Sequence, residues 1–307
     1  MGKKLHRTDL IILSELDKDC RTPLSDIAKK MRKSPQYVKY RLEKLKEEKI
    51  IQTVSILTDY EPGVFQTCAF IKLKGSNVIN ERLLLDALFK MSETYRLYFC
   101  DGSHNIIAYF LVRDYKRLEQ IKKELLSNFE NIDLLYYNYV ASSRIFVKKY
   151  LLDSSEYSSL ELKNRKTEFD DFEKIVLEEL NRDPFASLFE ISEKLKVSYD
   201  KIKYLFKKEN LYLGSRLILS DAAVKKTILF LDIAGDFEEI RNFLSNHKNI
   251  VQFDTLLGKN NFVVYFESFE EDLKRIIKEL LYQFKDSIIA HERTDIINTY
   301  KYRRTRE

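Results

Sequence analysis

The chain has 307 residues, 44% of them hydrophobic, with 19 Tyr, 20 Phe and no Trp; that is room for two ordinary domains and too aromatic for a disordered chain. A formal charge of +5 leans only weakly toward polyanions, and the spacing of Cys20, Cys68 and Cys100 among four scattered histidines fits neither a disulfide framework nor a zinc pattern. The charged start is unlike a signal segment and no apolar run reaches the roughly 18 residues of a membrane span, so a cytoplasmic protein without metal or cofactor is expected.

Leu10, Leu13 and Leu16, widened by Ile12, predict a first helix over 7–18. Pro23, with Thr22 before it, opens a second over 23–31 that buries Leu24, Ile27, Ala28 and Met31. Ser34-Pro35 reads as the cap and first turn of a third, 35–48, with Val38, Leu42 and Leu45 as its stripe. Three short helices with a tight turn before the last make a helix-turn-helix, and Ile50, Ile51 and Val54 suggest a short extended segment after it. The first domain is therefore set at 1–54.

A recognition helix meets base edges with its N-terminal end. Ser34, Gln36 and Tyr37 stand there, and Lys33, Lys39, Tyr40, Arg41 and Lys44 complete the candidate DNA-contacting set. The cations suit phosphates. The same charges also suit a solvated face, and Arg41 has the alternative of pointing inward to brace the fold through a carboxylate.

Beyond residue 55 the hydrophobic period falls from about 3.6 to 2. Strands are predicted over 67–74, 95–100, 105–112 and 132–147, the last with an irregularity, and helices over 78–91 and 114–129. The order β-α-β-β-α-β is ferredoxin-like and fills a domain at 55–150. A polar, Ser-rich stretch, 151–166, reads as a linker.

The chain then repeats itself. Leu16, Asp19, Leu24, Ile27 and Ser34 fall on Leu180, Asp183, Leu188, Ile191 and Ser198; GSHNIIAYF from Gly102 parallels GKNNFVVYF from Gly258. A repeat this long implies two similar folded units: a second, degenerate helix-turn-helix at 167–218 and a second ferredoxin-like domain at 219–307. Strands with apolar residues on both faces suggest that the two sheets pack face to face, an internal pseudo-dimer, unless each pairs with another chain in a homo-oligomer. Residues 1–50 hold 14 basic and 8 acidic side chains, residues 164–213 hold 10 and 11. The second recognition helix, with Ser198, Tyr199, Lys201, Lys203 and Lys207, is therefore expected to bind DNA more weakly. The basic tail Tyr300–Arg306 reads as a solvated terminus.

Asp9, Ile12, Leu13, Leu16, Asp19-Cys20-Arg21, Leu24, Ile27, Ala28, Ser34, Val38, Arg41, Leu42, Leu45 and Ile50-Ile51, in that order, resemble the Lrp/AsnC (feast/famine) regulators; Lys49 stands where they carry glycine. The resemblance implies a winged-helix DNA-binding domain followed by a ferredoxin-like assembly domain, here in two tandem copies. It also implies an amino acid or other small effector near the hairpin between the second and third strands, at Asp101, Gly102, Ser103, His104 and Asn105. A polar turn explains those residues equally well. The leading expectation is a sequence-specific double-stranded-DNA-binding transcription regulator. Without paired carboxylates, a nucleophile–base pair or a Gly-rich phosphate loop, no enzyme is expected. Two alternatives remain: a protein-interaction paralogue with little DNA binding of its own, and an enzyme similar to the siroheme decarboxylases. The latter resemble this family in organisation and use histidines and basic residues around a tetrapyrrole; His104-Asn105 carries that likeness here.

Overall fold

A computed structural model of the chain describes residues 5–75, 78–152, 159–162, 168–207, 211–235, 237–258, 260–269 and 273–302. Helices α1 (Arg7–Lys18), α2 (Leu24–Met31) and α3 (Pro35–Glu47) lead into strand β1 (Ile51–Leu57). Then follow β2 (Phe65–Leu73), α4 (Val78–Lys90), β3 (Thr94–Gly102), β4 (Ile106–Val112), α5 (Tyr115–Asn128) and β5 (Ile132–Phe146). After a 3-10 turn at Lys149–Leu151 and a short strand β6 (Ser159–Glu161) come α6 (Asp171–Arg182), α7 (Leu188–Leu195), α8 (Tyr199–Lys207) and β7 (Gly214–Leu219). The chain ends with β8 (Lys225–Ile233), α9 (Glu238–Asn246), β9 (Ile250–Leu257), β10 (Phe262–Ser268), α10 (Leu273–Gln283) and β11 (Ile288–Tyr302).

The helices form where the apolar spacing puts them, and their ends have local causes. Ser34 caps α3 by accepting the Tyr37 amide at 3.2 Å, with Pro35 at the first position. Asp170 and Ser187 cap α6 and α7, each in a reciprocal box with a glutamate three residues on. The two three-helix units do not stand apart. Strands β1 and β7 pair antiparallel, Val54 opposite Leu217, and a single core joins Ile12, Leu16, Val38 and Leu42 to Val176, Leu180 and Ile202. Burying each such side chain contributes about 2 kcal/mol.

The tandem ferredoxin-like expectation is overturned by the sheet. Strand order runs β2-β4-β3-β11-β8-β10-β9-β5, and β5 pairs back on to β2. The result is one closed eight-stranded barrel in place of two four-stranded sheets face to face, so the unit is not duplicated. The reason lies in β5 and β11, 15 residues each. At about 3.3 Å per residue either strand outruns its own half. Residues Ile132–Tyr139 of β5 pair with β2, and from Tyr139 to Ile145 the strand pairs with β9, with an irregularity between Val140 and Ser142. Likewise β11 pairs with β8 over Ile288–Asp295 and with β3 from Thr294 to Tyr302. Each half thereby covers the other's edge, and a closed sheet leaves no free edge to aggregate.

Closure also explains strands that are apolar on both faces. One face lies under the helices, in clusters around Leu84, Leu88 and Ile121 on one side and Leu244, Ile277 and Leu280 on the other. The other face fills the barrel with Cys68, Phe70, Tyr109, Phe230, Val263 and Tyr265. A polar knot sits among these: Asp254 accepts from Ser143 at 2.6 Å, Gln252 at 2.6 Å and Tyr109 at 3.0 Å. Of the expected linker, β6 pairs with the end of β5, while 153–158 and 163–167 lie outside the described residues, as does the tail from Arg303.

Candidate functional site

Helix α3, the candidate DNA-contacting helix, presents Gln36, Lys39 and Tyr40 to solvent, with Lys33 exposed just before it and Tyr37 and Lys44 half exposed. Arg41 does not belong to this face. It turns inward and grips buried Asp9 through two bonds, Nε to Oδ1 at 2.9 Å and an Nη to Oδ2 at 2.7 Å. The hydrogen bonds to Asp9 raise the guanidinium pKa further. On α8, Tyr199, Lys201, Lys203 and Lys207 are exposed, with Ser198 just before them, and Leu205 occupies the place of Arg41 as a buried apolar residue. Lys201 lies 3.9 Å above the Phe172 ring, so part of its charge is occupied at home.

The hairpin between β3 and β4 is filled rather than open. Gly102 has φ +139°, and a Cβ there would meet the Arg293 carbonyl oxygen at 2.5 Å, so β11 itself demands the glycine. His104 is buried, with Nδ1 at 2.9 Å from Ser103 Oγ and Nε2 at 3.1 Å from Tyr136 Oη; Phe70 and Phe230 flank its ring. Asn105 uses its side-chain oxygen on the Leu73 amide at 2.9 Å. Ser103 also meets Thr294 Oγ1 at 2.8 Å, which leaves Asp101 as the exposed side chain of the five. These contacts brace the end of the barrel.

Two clefts lie where the long strands change partners. The first, about 620 Å³, opens at the crossing of β5. Its walls are Val64, Phe65, Val112, Val140, Leu162 and Leu257, with Tyr115, Tyr139, Gln66, Ser142 and Glu161 as polar groups. Gln66 is only 6% exposed. Its Oε1 accepts from Tyr60, while its Nε2 has no hydrogen-bond partner among the described residues. The second cleft, about 810 Å³ and wider, opens at the crossing of β11 between Lys46, Lys49, Gln52, Asp221, Ala222 and Asn298.

Sequence reasoning missed the charges at the junction of helices and barrel. Lys148 Nζ meets Glu267 Oε2 at 2.7 Å, Tyr150 donates to the same oxygen at 2.9 Å, and the Lys148 amide donates to Asp17 at 2.7 Å. All of these are buried or nearly so. Burial disfavours the Glu267 charge, but Lys148, Lys226 and Arg216 outweigh it and hold the carboxyl down to about 2. For Asp17 burial prevails over Lys148, and its pKa is raised. Charged residues at strand ends look like surface in a sequence; only the barrel's closure brings them together.

Residues 5–52 match the family described as winged helix-turn-helix DNA-binding. The regulatory protein AsnC of Haemophilus influenzae is 23% identical over 137 residues, 43% of this chain and 91% of that protein. The transcriptional regulator LrpA of Pyrococcus horikoshii is 29% identical over 126 residues, 40% of this chain and 87% of that protein. The crystal structure of the siroheme decarboxylase NirDL is similar over 98% of this chain and 94% of that one, with a TM-score of 0.61 at 14% identity. The same enzyme in complex with an iron-uroporphyrin III analogue is similar with a TM-score of 0.60 at 13% identity.

The chain therefore carries an N-terminal winged helix-turn-helix domain, is similar in sequence to the regulators AsnC and LrpA, and has among its described residues no helix long and apolar enough to cross a membrane. The expectation of two tandem Lrp/AsnC units is overturned, because the fold that matches end to end is the NirDL barrel. The expectation of a non-enzyme falls with it: an enzyme uses this fold over its whole length.

Proposed function

We propose that the chain is an enzyme of the siroheme-decarboxylase kind, which removes carbon dioxide from a carboxylate arm of a large iron tetrapyrrole. The observation that carries this reading is the fold likeness spanning 98% of one chain and 94% of the other. Fold alone is an analogy. The described surface has two clefts of small-molecule size, about 620 Å³ at the β5 crossing and about 810 Å³ at the β11 crossing. Siroheme incubated with the purified chain is expected to change its absorbance spectrum and to lose the mass of carbon dioxide. An unchanged spectrum and mass after long incubation at high protein would overturn the reading.

A second reading rests on a different observation, the basic exposed face of α3 within the matched winged-helix segment. Here the chain is a sequence-specific duplex-DNA-binding transcription regulator, alone or as a homo-oligomer, modulated by an amino acid or another small effector. Ser34, Gln36, Tyr37 and Tyr40 would approach bases; Lys33, Lys39 and Lys44 would meet phosphates. Lys201, Lys203 and Lys207 would add weaker contacts from α8. For an effector at the β3–β4 hairpin, Asp101 is the exposed group. Gel shifts on the DNA upstream of its own gene, at two salt concentrations, test it: a direct binder loses affinity steeply with salt.

A further inference from the structure

We propose that the cleft at the β5 crossing binds a small, uncharged, planar molecule carrying a carbonyl oxygen, a ligand distinct from the anionic tetrapyrrole of the decarboxylase reading. The cleft exists because β5 changes partners. Its pairing with β2 stops where Thr67 meets Tyr139, and Tyr139 already lies opposite Leu257 of β9. Upstream on β2, Phe65 and Gln66 pair with Val112 and Leu111 of β4 on one side. The cleft opens on their other side.

Charge decides the class of ligand. The described wall residues include no lysine, arginine or histidine and one carboxylate, Glu161. Arg144, the cation closest to hand, stands 3.7 Å from Glu161 and is committed to it. An anion entering here would give up its hydration and meet no cation to offset the loss, whereas an uncharged molecule has far less hydration to give up. The wider cleft at the β11 crossing has the opposite character, with Lys46, Lys49, Glu48 and Asp221 on its walls.

Shape and hydrogen bonding narrow the class further. Phe65, Tyr115 and Leu257 are large side chains at the cleft left at least half exposed. The Tyr115 ring is held in place by its hydroxyl, which donates to Glu119 at 2.9 Å. A flat ring laid against these side chains removes apolar surface from water. At the wall, Gln66 makes one fixed polar demand. It is buried, its Oε1 accepts from Tyr60, and its Nε2 has no partner among the described residues. A buried donor without a partner is costly, and a ligand oxygen supplies the missing bond. A carbonyl does so without bringing a charge. The volume, about 620 Å³, suits a molecule of several fused rings.

The test uses the full chain and Nile red, an uncharged planar dye with a ring carbonyl, whose fluorescence rises in apolar surroundings. Anilinonaphthalene sulfonate, an aromatic dye with a negative charge, is the companion probe. Ala141→Trp plugs the first cleft and Ala222→Trp the second; both alanines are exposed, so neither change disturbs a core. Gln66→Met keeps the length of the side chain and removes the donor. The expected result is saturable Nile red binding, about tenfold weaker in Ala141→Trp, about fivefold weaker in Gln66→Met and unchanged in Ala222→Trp. The sulfonate dye should respond alike to the unaltered chain and to Ala141→Trp. The proposal is overturned by an unaltered chain that does not bind Nile red saturably, by binding that ignores Ala141→Trp or Gln66→Met, or by a sulfonate response that Ala141→Trp abolishes. A fall in mass in solution on Ala141→Trp would seat a second copy of the chain in the cleft and overturn it as well. The siroheme incubation is indifferent to all of these outcomes.

Discussion

The two halves of the chain lay down the same succession of elements and put different chemistry on it. Asp9 in α1 holds Arg41, whereas Glu173 at the matching place in α6 faces a unit with Leu205 instead of arginine. Gln66 keeps a free amide where Lys226 is bonded on every side. Leu111 in β4 stands where β10 has Glu267. Backbone and apolar core are retained, and the charges are redistributed. The buried charges at the junction come from both halves, Asp17 and Lys148 from the first and Glu267 from the second, and together tie helices to barrel. The second half is set apart by Lys226, bonded to the turn before β8, and the first by the basic exposed face of α3.

The largest expected effect breaks the tie between helices and barrel. Lys148→Met leaves Glu267 buried without its nearest cation and should cost about 4 kcal/mol in urea unfolding. A cost below about 1 kcal/mol would mean that the inward charges carry little. Next comes acid. The folded value of Glu267, about 2, lies below the roughly 4.3 of an unfolded chain. Its contribution is therefore full above about pH 4.3 and fades as pH falls toward 2, roughly 3 kcal/mol in all. Asp17, raised by burial, works in the opposite sense and regains stability as it protonates. Glu267→Gln should be less stable at neutral pH and lack the acid loss; equal acid loss in both chains would put its origin elsewhere. A smaller contrast separates the helix units. Asp9→Ala strands Arg41 and removes a cap, at about 3 kcal/mol, while Glu173→Ala removes a cap at about 1 kcal/mol. Equal costs would dissolve the distinction.

Much of this was legible residue by residue. The change of period from 3.6 to 2 located the helices and strands, Ser34-Pro35 marked the start of α3, and Arg41 takes the inward alternative, bracing the fold through a carboxylate, that the sequence left open beside DNA contact. Closure was not legible, since a strand's period says which face is buried and nothing about which edge it joins. The length of β5 was the available hint, 15 residues where five or six are usual. At the hairpin the sequence could not say which polar side chains are spent inside the fold; Asn105 and His104 bond within the barrel's end, and Asp101 stays exposed. Gln66 looked like any polar residue on a strand. Its interest arises only after Tyr60 occupies one end of the amide and the cleft opens at the other.

The smallest expected effect sharpens the comparison on DNA. Lys39→Glu with Lys44→Glu removes two exposed or half-exposed cations from α3; Lys203→Glu with Lys207→Glu does the same on α8. If the basic face of α3 is the one that binds, the α3 pair should weaken duplex binding about tenfold and lower the slope of log affinity against log salt by about 2, one for each phosphate no longer neutralised. The α8 pair should cost less than about threefold, because Lys201 is occupied by Phe172 and its neighbours stand on a unit whose acidic residues offset its basic ones. Equal slopes in the two variants would show both helices on the duplex together. The contrast between the two halves would then hold for the clefts and fail for the helices.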